Sequence, residues 1–413
     1  MSAEPVPVSA APVPRVSGLW TARFTLIWFG CWMANLVPVQ LLLPAQLALI
    51  DPEGKVRDFA VVNGIAGLAA LVALPLFGVY SDHSRSRFGK RRTPIAVGVL
   101  VFAAGLVLAG QQQTVPLLVL WWSVSILGLS AMMAGLTAVV ADRVPEEQRG
   151  VISSAIYGPQ ALGVVVGLAA VITFGLTITG SYALLAVALI VLALPFLLRY
   201  REQASGTQPA LSLRAVGRSL MVDPRRHPDF AWAFAGRLFV TLSNALGTCY
   251  MLYFLTDHVR AADPEATLLG LTMAYLAAGV VTSVVVGPWS DRTGLRRPFA
   301  AVAALAQAVS GFLLIGSTGD GALFTASVLM GGGWAAYMTV NQAVVTRVLP
   351  DADNRATDLG LTNIGVLVPS AVAPLIASAV VTSGGSGYPL LFLITGLTAA
   401  AGGVTAYLVR SVR

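Results

Sequence analysis

Charge is the scarcest property of this chain: only 11% of its 413 residues are Asp, Glu, Lys or Arg. Soluble chains carry about 25%, which argues against an ordinary cytosolic enzyme. Lysine is scarcer still, with Lys55 and Lys90 alone beside 24 arginines. With abundant Ala, Gly and Val, that bias fits a high-GC bacterial genome. The two cysteines, Cys31 and Cys249, fall in apolar runs and are too few for a disulfide framework. The three histidines (His83, His227, His258) lie in loops, and no metal-ligand spacing appears. Neither a Walker sequence nor a strand–GxGxxG–helix unit exists, so the chain has no nucleotide engine and no cofactor is expected. The opening MSAEPVPVSAAPVPRVSG has no compact apolar core before a cleavage site, so residues 1–19 read as a disordered cytoplasmic tail.

Apolar residues make up 56% of the chain and mean hydropathy is +0.78. Collagen, coiled coil and disorder do not fit these values, and a polytopic membrane protein does. A bilayer core of about 30 Å needs about 20 apolar residues per helix. Twelve runs qualify, at 22–48, 58–80, 93–110, 115–140, 151–174, 181–198, 230–256, 266–289, 298–316, 320–348, 357–382 and 388–409. The fold class is therefore an all-α membrane protein with both termini on one side. Formal net charge is +7, which in a soluble chain would suggest nucleic acid. Here it resolves by side. With the amino terminus inside, the outer loops hold three bases (Lys55, Arg57, Arg260) against seven acids, and the other 23 bases lie inside. The positive-inside rule therefore makes both termini cytoplasmic, in a bacterial plasma membrane, and no nucleic-acid partner is expected.

Residues 200–228 form the longest break and separate an amino-terminal bundle (20–199) from a carboxy-terminal one (229–413). Within it Leu213, Val216, Leu220 and Met221 recur at helical spacing beside Arg214 and Arg218. An amphipathic helix on the inner membrane surface and a solvated linker both fit. The two bundles look duplicated. Ser81-Asp82 matches Ser290-Asp291, Gly78 matches Gly287, and Asn35 matches Asn244, all at an offset of 209. Past the shorter second loop the offset becomes 205, pairing Gly128 with Gly333, Ala131 with Ala336, Met133 with Met338 and Pro145 with Pro350; Arg149 and Arg355 follow at 206. An offset that changes only where a loop changes length indicates two pseudo-symmetric six-helix halves, the architecture of alternating-access transporters.

The stretch Gly78-Val79-Tyr80-Ser81-Asp82-His83-Ser84-Arg85-Ser86-Arg87-Phe88-Gly89-Lys90-Arg91-Arg92-Thr93-Pro94 resembles the signature loop of the major facilitator superfamily. Gly287–Pro298 is its shorter second copy, and Asp142–Gly150 resembles the family's motif after helix four. The long first loop resembles that of the glycoside–pentoside–hexuronide:cation symporter branch, with His83 where the pattern usually has Arg. The resemblance implies a conformational gate built from Asp82, Arg85, Arg91, Arg92, Asp142, Arg149, Asp291, Arg292, Arg296, Arg355 and Asp358. By resemblance Asp82 meets the start of helix eleven near Arg355 and Asp358; by internal symmetry Asp291 meets helix five near Arg149. An Asp at a helix amino terminus beside Arg can fasten one state.

The resemblance also implies a pathway lined by helices one, four, seven and ten. Arg237, Thr241, Asn244 and Thr248 share one face of helix seven, and the 209 offset carries them to Trp28, Trp32, Asn35 and Val39. Tyr337 and Asn341 add a stripe on helix ten, with Tyr157, Gln160 and Asn63 as weaker contributors. An intramembrane Asn or Tyr serves either as substrate contact or as glue between helices. Arg237 sits about 9 Å inward of its helix midpoint, at a rise of about 1.5 Å per residue. A guanidinium there costs roughly 2.5–3.5 kcal/mol unless paired or wet. It either holds an anionic or hydroxyl-rich substrate, joins a charge pair, or snorkels to the headgroups. No Asp, Glu or His lies near the middle of any span, although the resembled symporters use such carboxylates. Coupling to H+ or Na+ is therefore open, and so is uniport. The expectation is a monomeric secondary transporter of a sugar-like small molecule, in contact with lipid. Multidrug or metabolite efflux and a non-transporting receptor are the alternatives.

Overall fold

The computed structural model describes residues 15–83, 89–145, 148–200, 227–316, 318–345, 355–382 and 387–409. Its regular elements are all helical: α1 (Gly18–Ile50), α2 (Lys55–His83), α3 (Arg92–Ala109), α4 (Val115–Arg143), α5 (Arg149–Phe174), α6 (Ile178–Arg199), α7 (Pro228–Cys249, continued by a bent segment Met251–Val259), α8 (Pro264–Thr293), α9 (Arg296–Leu313), α10 (Asp320–Val345), α11 (Arg355–Thr382) and α12 (Gly387–Leu408). Ten are long and apolar enough to cross a membrane, or eleven if α7 and its bent end count as one span. The helix outside that set, α9, starts with Arg296 and Arg297 and carries Gln307 and Ser310. Those two polar side chains are fully buried, bonded to Val240 O and Ala326 O. The polarity that disqualifies α9 by composition is thus used between helices. Of the expected tail 1–19, residues 1–14 lie outside the described residues, while Gly18 and Leu19 already belong to α1; residues 201–226 of the linker also lie outside them.

Local chemistry sets the helix ends. Ser17, Thr177 and Asp263 accept backbone N–H groups of the first turns of α1, α6 and α8, the usual N-cap arrangement. Gly175 and Gly294 end α5 and α8 in the left-handed region at φ 55° and 69°, where a Cβ is penalised.

α1 and α7 are both irregular toward the end of the bundle away from the termini, the end that the arginine distribution leads one to expect outside and that is called outer below. In α1 the run Pro38–Leu42 forms a π turn, closed by Leu43 N–H donating to Pro38 O. Pro44 has no N–H for the carbonyl four residues back, and the widened turn absorbs the mismatch. α7 breaks at Tyr250, turning by 42°. The 209 offset carries residues 38–42 onto 247–251, which contains that break, so duplicated positions interrupt both helices.

Packing repeats as well. α1 rests on α5 and α6, α2 on α4, and α3 on α4 and α6; six helices later α7 rests on α11 and α12, α8 on α10, and α9 on α10 and α12. The correspondence reaches single residues. A Cβ on Gly128 would meet Gly98 O and Phe102 Cα at 2.9 Å, and one on Gly333 would meet Ala303 O at 2.6 Å and Gln307 N at 3.0 Å. Gly98 and Ala303, and Phe102 and Gln307, are themselves 205 apart. Between the halves, α2 lies along α11 and α5 touches α8, the former contact being far more extensive.

The buried apolar side chains form two clusters. The larger runs through residues 24–200 and continues into the outer ends of α7, α8, α10, α11 and α12 through residues such as Tyr253, Leu271, Leu323, Ala377 and Phe392. The smaller, including Phe230, Val240, Ala304, Tyr337 and Val345, belongs wholly to the inner part of the second half. Among the described residues the halves thus share one core at the end away from the termini and have separate cores toward the end that holds the termini.

Candidate functional site

The outer junction centres on two tyrosines where α7 bends. Tyr250 Oη donates to Val56 O (2.9 Å) or Pro374 O (3.0 Å), and Tyr253 Oη to Pro44 O (3.1 Å) or Lys55 O (3.3 Å). Both phenols are buried, and Phe59 of α2 packs edge-on against both rings. Above them Lys55 Nζ lies 2.7 Å from Asp257 Oδ1 and 5.2 Å from the centre of the Tyr253 ring. Asp257 Oδ2 also accepts a long bond of 3.4 Å from Tyr388 Oη. Ion pair, phenol bridges and aromatic packing together close this end.

Next inward of the junction, among the described residues, come uncharged polar side chains, with Arg237 further in along α7. Asn244 Oδ1 accepts from Tyr275 Oη of α8 at 2.9 Å. Thr248 donates to the Asn244 carbonyl at 2.8 Å. Gln40 in the π turn stands 3.5 Å from Thr272 Oγ1, across the two halves. Asn35 is half-buried on the same helix as Gln40.

The expected pathway residues divide into two groups. Trp28, Thr241, Tyr337 and Asn341 are at most 5% exposed and lie inside their own halves. Trp28 packs edge-on against Phe24 and stacks on Trp32. Tyr337 Oη occupies the space a Cβ on Gly236 would need, and Asn341 Nδ2 donates to Ala233 O at 3.1 Å. Trp32, Asn35, Arg237 and Asn244 are half-buried. Trp32 Nε1 donates to Ile156 O of α5 at 2.9 Å. Arg237 donates to Gln342 Oε1 of α10 at 3.1 Å, and its stem lies where α11 carries Gly365, 3.1 Å from a Cβ placed there. The guanidinium therefore joins α7 to α10 at the edge of α11. Asn63 donates to Phe59 O within its own helix, and Gln160 is half-buried.

Part of the expected gate is described. Arg91, 4% exposed, donates through Nε to Asp142 Oδ2 at 2.7 Å, tying α3 to the inner end of α4. Arg92 is half-buried and Arg292 exposed. Arg296 is 8% exposed and lines a cleft with Arg297, Tyr337 and Asn341. The side chains of Asp82, Arg85, Arg149, Asp291, Arg355 and Asp358, and that of Tyr157, lie outside the described residues. No group of three or more His, Cys, Asp or Glu able to hold a metal occurs among the described residues.

Sequence reasoning did not single out Gln40, Lys55, Tyr250, Tyr253, Asp257, Thr272, Tyr275 or Gln342. Two signals were present: Gln40 lies between Pro38 and Pro44 inside a span, and Tyr250 and Tyr253 share a helix face at a span's outer end.

A family model of the Major Facilitator Superfamily matches residues 26–261 and 248–413. No curated protein sequence matches the chain. Among solved structures, the crystal structure of a point mutant of the nucleoside transporter NupG has a similar fold, with a TM-score of 0.74 over 95% of this chain and 99% of that one at 14% sequence identity.

Proposed function

The chain belongs to the major facilitator superfamily, and from that premise we propose that it moves an uncharged, hydrogen-bonding organic solute by alternating access between two six-helix halves. One observation carries the mechanism: among the described residues the halves share a core at the outer end and have separate cores toward the inner end. Such an arrangement supports an inward-facing state, with the outer gate shut by Tyr250, Tyr253 and the Lys55–Asp257 pair. Twelve spans follow when α9 and the bent α7 are each counted as crossing. The repeated helix contacts and the matched glycine approaches support the pseudo-symmetry of the halves. Both termini face the cytoplasm of a bacterial cell, as the distribution of arginines indicates.

The solute class follows from Asn35, Gln40, Asn244, Thr272 and Tyr275, which are amides and hydroxyls close to the gate. An ion enclosed there would lose its hydration without a charged partner, whereas a polyhydroxylated or heterocyclic solute would exchange water for these groups. Sugars of the kind handled by the glycoside–pentoside–hexuronide branch, and nucleosides as named for the structural neighbour, both fit that chemistry. Arg237 acts as a brace between α7 and α10 in the inward-facing state, bonded to Gln342. Coupling to H+ or Na+ would fall to acids at the rims, such as Asp58 or Asp142, since none is central. The unit is a monomer.

Uptake or counterflow in proteoliposomes tests this reading, preceded by a thermal-shift screen across sugars, nucleosides, organic anions and cationic drugs. Saturable movement of a neutral solute is the expected outcome. A hit confined to hydrophobic cations would favour multidrug efflux, and binding without transport would favour a receptor.

A further inference from the structure

Amides buried in membrane helices usually serve as glue, and in this protein most do so visibly. Gln46 donates to Ala109 O and Gln112 O at 2.9 Å, closing the end of α3. Gln307 donates to Val240 O at 2.9 Å, and Asn341 to Ala233 O at 3.1 Å. Asn244 and Gln342 accept from Tyr275 and Arg237 at 2.9 and 3.1 Å. Gln40 departs from this pattern. Its only side-chain hydrogen bond among the described residues is with Thr272 Oγ1, and 3.5 Å is too long for a strong one. Its amide is also half-buried rather than sealed into helix packing.

The backbone explains how Gln40 comes to face the other half. It is the central residue of the π turn Pro38–Leu42, and a π turn adds one residue to the helical circuit, re-aiming the side chains on it. From this turn Gln40 Oε1 reaches Thr272 of α8. The same turn touches the bent segment of α7 next to Tyr253. Gln40 therefore lies just inward of the gate, on the half opposite Asn244 and Tyr275.

We propose that Gln40 is a specificity-determining contact of the transport site: its carboxamide Nε2–H donates to an acceptor oxygen or ring nitrogen of an uncharged solute, while Oε1 faces the Thr272 hydroxyl. Thr272 orients the amide, and the loose 3.5 Å spacing leaves the group free to exchange a water for the solute. This assignment rests on the transport reading above and deepens it, giving Gln40, one of the polar groups near the gate, a specific donor atom and a role in choosing the solute.

Kinetics of D-glucose and uridine uptake in proteoliposomes test it, with benzoate and tetraphenylphosphonium as charged controls. Gln40→Glu keeps the shape and the Oε1 acceptor but loses the donor, and Gln40→Ala removes both. Each is expected to raise KM for the transported neutral probe about tenfold with Vmax within twofold, the loss of about one hydrogen bond. Thr272→Val keeps the amide and is expected to hold KM within about threefold. An unchanged KM in Gln40→Glu overturns the donor role. An equal rise in Thr272→Val and Gln40→Ala overturns direct contact in favour of gate positioning. A wild-type protein that moves only benzoate or tetraphenylphosphonium overturns the Gln40 assignment while leaving transport intact, and one that moves none of the four removes both.

Discussion

Lys55 at the first residue of α2 and Asp257 in the bent end of α7 form an ion pair of 2.7 Å that joins the two halves of the chain. Their side chains are 18% and 35% exposed, so the pair is neither buried deeply nor fully wet. It stands above two buried phenols that bridge the same elements by neutral hydrogen bonds. The outer gate thus combines a salt-sensitive tie with salt-insensitive ones.

Breaking the ion pair is expected to loosen that gate. An exposed pair contributes up to about 1 kcal/mol, so Lys55→Ala or Asp257→Asn should raise the outward-open population up to about fivefold. Labelling of the native Cys249, next to the break in α7 and not disulfide-bonded, by an impermeant maleimide from outside should speed up accordingly. The exchanged pair Lys55→Asp with Asp257→Lys should slow it again. Identical rates in the wild type and Lys55→Ala would remove the latch.

The phenols should behave differently with salt. Tyr253→Phe loses the bridge to Pro44 O and Lys55 O, at about 1 kcal/mol for a neutral hydrogen bond. Its faster Cys249 labelling should persist in 0.5 M KCl (about 500 mM, a Debye length of about 4 Å), whereas the Lys55→Ala difference should shrink. A Tyr253→Phe effect that vanished in salt would contradict the neutral bridge.

Asp142→Asn removes the carboxylate that accepts from the nearly buried Arg91 Nε, which should cost about 3 kcal/mol and lower the melting temperature in detergent. The double change Arg91→Met with Asp142→Leu should cost less than the single one, because both charges leave together. A double mutant less stable than Asp142→Asn would show that the pair contributes net stability.

Gly128→Ala and Gly333→Ala should be similarly damaging, about 1–3 kcal/mol each, since each new Cβ would collide with backbone of the neighbouring helix. Thermal melts of the two proteins check this. Gly158→Ala is the control, as nothing lies within 4 Å of its Cβ position. Tolerance at one of the paired glycines would break the correspondence between the halves.

Helix positions were legible in sequence because they rest on a linear pattern, as do the expected orientation and duplication. Apolar runs of bilayer length, arginines gathered between alternate spans, and matches at 209 and 205 do not depend on how helices meet. Trp28 and Asn341 show where that legibility ends. Helical spacing put both on a polar or aromatic stripe, yet it cannot say whether the stripe faces the pathway or the interior of its own half, and both are buried. Arg237 likewise fits three readings by sequence, and only the folded chain places Gln342 and Gly365 beside it.

The scarcity of charge now has a location. By itself the sequence determined that this is a multi-pass membrane protein, because hydration energies act on composition alone: a charge in hydrocarbon is costly wherever the fold places it. Only the tertiary structure decided which of the few charged and polar groups meet. Lys55 and Asp257 are 202 residues apart, as are no two groups that helical periodicity can relate, and Gln40 faces Thr272 across 232. Such contacts depend on a π turn, a 42° bend and the relative tilt of two halves, which are properties of packing rather than of local pattern.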